Sequence, residues 1–196
     1  MLRSERMASI WVGERVRLRG GEPDEWQQLA LEFDQDSTVM RNAGALHPPR
    51  SKASYLQWAE SKVGTQDDDT FSLGIESLSE GRLVGWLGTT DVDKNAGVFS
   101  YGITIGGDFH RSGYASEAIN LLLRYMFGER RFQKCDVDMY AYNTARMKLH
   151  EKLGFIEEGR RRRRQFFAGA HHDLVLMGMT VEEYAEVHSL GSVESA

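Results

Sequence analysis

His110-Arg111-Ser112-Gly113-Tyr114-Ala115 stands between Val98–Ile105, which reads as a strand, and Ser116–Phe127, which reads as a helix. A turn of small residues in that place presents several backbone N–H groups in succession. The first turn of the following helix adds the positive end of its dipole. Together they make a cradle for phosphate. Gly113 lets a ligand approach the backbone, Ala115 keeps the first turn uncrowded, and Arg111 adds a charge. The turn is not a P-loop, because no Gly-Lys-Ser/Thr follows. It is not a dinucleotide fingerprint either, because only one glycine lies within it. A plain strand–glycine–helix junction is the bland alternative.

Upstream of the turn the chain reads as three strands joined by short polar turns, an antiparallel meander over Phe71–Glu76, Leu83–Thr90 and Val98–Ile105. Before it, Ile10–Arg19 partly alternates and reads as a strand. Pro23 opens a helix with Asp24 and Glu25 in its first turn, and Ser51–Val63 carries Tyr55, Leu56 and Ala59 at helical spacing. Thr65–Asp69 reads as an acidic turn. Downstream, Lys134–Tyr142 alternates cleanly, with Cys135, Val137, Met139 and Ala141 on one face. Thr144–Leu153 is a helix closed by Gly154, and Phe155–Phe167 and His172–Thr180 are two final strands. Residues 1–9 read as a flexible extension, 10–184 as a single domain, and 185–196 as a tail. No repeat and no linker interrupts them.

The second chemical signal is Asn143-Thr144-Ala145-Arg146-Met147-Lys148-Leu149-His150-Glu151-Lys152-Leu153-Gly154-Phe155. Asn143 can cap the helix, or its amide can reach a ligand beside the strand end. With Gly113-Tyr114-Ala115-Ser116-Glu117-Ala118 some thirty residues before it, the pair resembles the GNAT superfamily of acetyl-CoA-dependent N-acetyltransferases. The continuation Glu158-Gly159, Phe167-Ala168-Gly169, Asp173 and Met177 resembles its RimJ/RimL-like branch of ribosomal-protein N-terminal acetyltransferases and relatives.

The resemblance implies an α/β (α+β) GNAT fold. Its mixed central sheet has about seven strands, splayed between the fourth and fifth, and about four helices flank it. It implies acetyl-CoA as co-substrate and no metal. Ile103, Thr104 and Ile105 would pair with pantetheine, and the N–H groups of Arg111, Ser112, Gly113, Tyr114 and Ala115 would hold the pyrophosphate. Asn143 would bond the cofactor. Three departures stand out: His110 opens the phosphate turn where Gln or Arg is usual, Arg146 replaces a frequent serine and places a cation near the cofactor channel, and His150 stands where many members have a tyrosine that protonates the leaving thiolate. His150 is therefore the candidate catalytic acid, with pocket lining as its alternative. No general base stands out among Glu76, Asp91 and a water relay. The acceptor would be a primary amine, a protein N-terminus or a small molecule. A non-catalytic acyl-CoA sensor on the same fold is the competing reading. A homodimer is expected, because dimers are common in the branch.

Composition sets the frame for these readings. The 196 residues suit one α/β domain. Nowhere do 18 apolar residues run together, and the start lacks a signal-peptide stretch, so no membrane partner and a cytoplasmic location are expected. One cysteine, Cys135, excludes an internal disulfide and reads as a packed thiol. Net charge is −5, but residues 110–164 carry +6 and the remainder −11. That argues against nucleic acid as a partner and for one basic stretch that meets an anion. Arg160–Arg164 would alternate along a strand, as a solvated edge or dimer rim, or as a clamp for an acidic substrate or the cofactor's outer phosphates. His171 and His172 have no metal-ligand company.

Overall fold

The computed structural model describes residues 9–44, 46–63 and 67–188. In chain order they form β1 (Val16–Arg19), α1 (Pro23–Asp34), α2 (Ser37–Asn42), α3 (Lys52–Val63), β2 (Ser72–Ser77), β3 (Arg82–Asp93), β4 (Val98–Ile105), α4 (Tyr114–Arg124), β5 (Lys134–Tyr140), α5 (Thr144–Leu153), β6 (Ile156–Phe167), β7 (Ala170–Thr180) and α6 (Val181–His188). The strands make a seven-stranded mixed sheet in the order β1-β2-β3-β4-β5-β7-β6, with β4 and β5 parallel. Seven strands in a mixed sheet match the expected architecture. Six α-helices stand where about four were expected, the additions being short α2 and α6. The described residues divide into two compact units, one within Met1–Gly88 and Ile103–Tyr125, the other within Thr89–Gly102 and Met126–Ala196.

In the first unit β1 pairs antiparallel with β2, and β2 with β3. β1 is shorter than the expected Ile10–Arg19: Val12 turns back to bridge Arg17. Helix α1 starts at Pro23, whose fixed φ suits a first helical position, and the Glu25 carboxylate accepts the Glu22 N–H at 3.0 Å. Its apolar face, Trp26, Leu29 and Phe33, is buried with Val39 and Met40 of α2, Ala59 of α3 and Leu83 of β3. Each such large side chain contributes about 1.5–3 kcal/mol by leaving water. Trp58 and Trp86 pack against this cluster. Helix α2 occupies what reads as a polar stretch. It is held by Asp36, whose carboxylate accepts the N–H groups of Thr38 and Val39 at 2.8 and 3.1 Å.

In the second unit β5 pairs with β7 along its whole length, Lys134↔Thr180 to Tyr140↔Leu174. Its pairing with β4 is brief, Val98↔Lys134 to Ser100↔Asp136, although β5 continues to Tyr140. The apolar face read from the alternation is the buried one: Cys135, Val137 and Met139 are at most 4% exposed. Burial pushes the Cys135 thiol well above its ordinary value, as befits a packed, unreactive group. Residues 185–188, expected to begin the tail, belong to α6, whose His188 Nε2–H donates to the Leu153 carbonyl at 3.1 Å. The rest of that tail and residues 1–8 lie outside the described residues, as does part of the acidic turn at 65–69. The arginines of β6 are all exposed, but they do not alternate simply. The register shifts between Arg161 and Gln165, Arg163 has a φ of 54°, and its N–H donates to Asp173 at 2.9 Å.

Candidate active site

β4 delivers Ile103, Thr104 and Ile105 at its end, a short 3-10 turn (Gly107–Phe109) follows, and residues 110–113 lead into α4. Gly85 of β3 lets the two strands approach here, since a Cβ on it would collide with the Thr104 carbonyl oxygen. Among the described residues, the N–H groups of Arg111, Ser112, Gly113, Tyr114, Ala115 and Ser116 meet no protein acceptor. Arg111 (φ 63°) and Gly113 (φ 81°, the residue before α4) both take left-handed backbone, while His110 between turn and helix is extended. Alternating hand in this way turns successive N–H groups toward a common centre, the geometry of an anion nest. The residues present therefore fit a diphosphate. His110 behaves differently from its neighbours: its Nε2–H donates to the Ile105 carbonyl at 3.1 Å, so it braces the turn against its own strand.

Two further side chains hold this helix start in place. The Glu117 carboxylate accepts the N–H groups of Glu14, Arg15 and Val16, each at 2.8 Å. Gly13 makes room for it, since a Cβ there would overlap that carboxylate. The Tyr114 phenol bonds Ser77 Oγ at 3.0 Å and Ser79 Oγ at 3.2 Å. Arg15, positioned by the Glu117 clamp, runs its side chain past Gly113: Cδ and Nη1 come 3.6 Å from where a Cβ on Gly113 would stand. Arg15 is exposed and adds a cation beside the nest. Sequence reading misses it, because nothing local ties the start of β1 to a turn a hundred residues away.

The same unit holds a cavity of about 470 Å³. Phe33, Trp58, Trp86 and Met40 form apolar walls, Thr104 of β4 is part of the lining, and the cations Arg50 and Lys62 and the imidazole of His47 complete it. His47 Nδ1 lies 2.8 Å from the Pro48 carbonyl, which can only accept. The ring is therefore protonated at Nδ1, and in the neutral form the lone pair sits on Nε2. Glu76, one of the candidate bases, lies elsewhere, ion-paired with Arg17 at 2.7 Å and with Arg19. Burial pushes its carboxyl upward, but the two guanidinium bonds outweigh it and hold the group below the usual range. Asp91 is exposed on β3.

In the second unit Asn143, Arg146 and His150 share helix α5. Asn143 Oδ1 accepts the Arg146 N–H at 3.1 Å, which makes it the N-cap. Arg146 buries its guanidinium Nε with no acceptor, and burial lowers its pKa from the ordinary value. His150 is 0% exposed. Its Nδ1–H donates to the Arg146 carbonyl at 2.8 Å, so Nε2 accepts the Tyr101 O–H at 2.8 Å. Burial pulls the imidazole down to about 4, with the nearby Arg146 charge adding to the effect against the bond to the Arg146 carbonyl. This environment favours the neutral ring, and the two hydrogen bonds tie Tyr101 of β4 to α5.

The comparisons agree with the fold. Residues 15–156 match the acetyltransferase (GNAT) domain. The SPbeta prophage-derived N-acetyltransferase YokL of Bacillus subtilis (strain 168) is 34% identical over 180 residues, 92% of this chain and 98% of that one. YdaF of the same organism, whose name places it with ribosomal N-acetyltransferases, is 24% identical over 179 residues, 91% of this chain and 98% of that one. A solved GCN5-related N-acetyltransferase from Brucella melitensis superposes with a TM-score of 0.77 at 19% identity, covering 91% of this chain and 81% of its own, a likeness of fold. The chain belongs to the GNAT family and is an acetyltransferase.

Proposed function

We propose that the enzyme takes its acetyl group from acetyl-CoA and transfers it to a primary amine by direct attack. The observation that carries this reading is the row of N–H groups from Arg111 to Ser116 without acceptors, at the start of α4 and beside Arg15. That row suits a diphosphate, and Arg15 adds charge to it. The backbone of Ile103–Ile105 offers hydrogen-bonding groups to the pantetheine arm and to the oxygen on which negative charge develops. Asn143 and Arg146 are assigned to the cofactor on the family resemblance. Bound acetyl-CoA supplies an activated thioester. Transfer forms the amide C–N bond and breaks the C–S bond, and the amine must give up a proton. His47, with its lone pair on Nε2 and its ring in the cavity wall, accepts that proton directly or through water.

Acetyl-CoA at a hundred times its dissociation constant stabilises a folded protein that alone binds it by about 2.7 kcal/mol, so the melting temperature rises. Gly113→Glu places bulk and negative charge in the nest, on a residue whose φ of 81° no other side chain adopts cheaply. The rise is lost in that variant. A folded Gly113→Glu protein that shifts as the wild type does would refute the cradle.

A further inference from the structure

We propose that the acceptor is a small amine with an apolar or aromatic body and a carboxylate, bound in the cavity of the first unit with its carboxylate on Arg50. The inference rests on the transferase reading and names the substrate of that same site. The cavity volume of about 470 Å³ falls in the range of about 300–1,000 Å³ usual for small-molecule sites. Its walls are aromatic and apolar, Phe33, Trp58 and Trp86 foremost, so the body of the ligand leaves water against ring faces.

The charge at the cavity is of one sign. No aspartate or glutamate is among its lining residues, whereas Arg50 and Lys62 are. Lys62 Nζ lies 5.6 Å from the Trp58 ring centre and 5.9 Å from that of Trp86, which keeps a cation over the two indoles. Arg50 is exposed, and no carboxylate among the described residues comes within ion-pair distance of it. Asp34 is not itself in the lining, but its carboxylate lies 3.9 Å from His47 Nδ1 and acts on the Tyr55 phenol, so it is engaged with two lining residues. A polyamine would bring several ammonium groups against these cations with no carboxylate in the lining to receive them, and burying unpaired charge is costly. A carboxylate instead finds the guanidinium fork. In an α-amino acid the amine shares a carbon with the carboxylate, so Arg50 fixes both together, in a cavity whose lining includes Thr104 of β4.

The test compares phenylalanine, tryptophan and methionine with their carboxamides and with spermidine. N-acetylated product is read by mass, and melting temperature is read with each compound in the absence of acetyl-CoA. The carboxylates should be acetylated with kcat/KM about tenfold or more above the matching carboxamides, the size expected of a charged hydrogen bond. Arg50→Gln, at an exposed position, should collapse that ratio to about one. Spermidine or the carboxamides performing as well as the carboxylates, or an unchanged ratio in Arg50→Gln, would overturn the inference and leave the transferase standing. Carboxylates that raise the melting temperature only when Arg50 is present, with no amine of the panel acetylated, would support the site and count against the transferase. Carboxylates that neither bind nor react would overturn it.

Discussion

His150 shows how one side chain changes meaning between sequence and structure. Its place on α5, seven residues after Asn143, resembles the position of an acid catalyst, but its two nitrogens are already engaged and its ring is out of water. Its folded-state pKa of about 4 lies below the ordinary 6.5. Between those values the unfolded chain holds the extra proton. The contribution is therefore fully present above about pH 6.5 and is lost as pH falls toward 4. His150→Phe should remove that slope from the pH dependence of unfolding. It should also lower stability at pH 7 by about 1–3 kcal/mol, because the Tyr101 hydroxyl and the Arg146 carbonyl lose their buried partner. Chemical denaturation of both proteins from pH 4 to 7 checks this, and parallel curves would contradict it. If the ring stays neutral, no limb of the rate profile near pH 6.5 belongs to His150.

At the scale of elements, the decisive join is α4 to the start of β1. Glu117→Ala leaves the N–H groups of Glu14, Arg15 and Val16 without their carboxylate. Two of the three are exposed enough to turn to water, so the loss should be about 2–4 kcal/mol rather than the full sum. Acetyl-CoA affinity should fall as well, since Arg15 leaves its station beside Gly113. Arg15→Ala should weaken affinity with little change in melting temperature, which separates the cation from the clamp. Titration calorimetry and thermal melts on both variants decide it, and unaltered affinity in Arg15→Ala would remove Arg15 from the site. The turn at Ser112-Gly113-Tyr114-Ala115 was legible in the sequence because a glycine before a helix start is a local signal, whereas the left-handed backbone of Arg111 was not. Helix α5 and strand β4 were legible to the residue because cap and alternation are local. Helix α6 carries a local signal: Thr180 and Glu183 form a capping box, their N–H groups bonding each other's side chains at 2.8 and 3.3 Å. Helix α2 had only Asp36. Arg15, the Glu117 clamp and the cavity were not legible, because each depends on residues brought together from distant segments.

Taken whole, the molecule places its charges by function. Arg160 to Arg164 lie on solvent-exposed β6, and Arg160 pairs with Glu157 at 2.7 Å in water, which is worth little to stability. Arg15 beside the nest and Arg50 and Lys62 at the cavity come instead from a part of the sequence that is acidic overall. A catalyst and a sensor of acyl-CoA differ in turnover. The most direct measurement follows thiol release from acetyl-CoA with and without an amine from the panel, and weighs the product in the same reaction. Amine-dependent thiol release should be matched one for one by N-acetylated product, and both should be lost in Gly113→Glu. Wild-type protein that binds acetyl-CoA, as judged by its melting temperature, yet releases no thiol above the amine-free rate with any amine tried, would contradict the transferase reading.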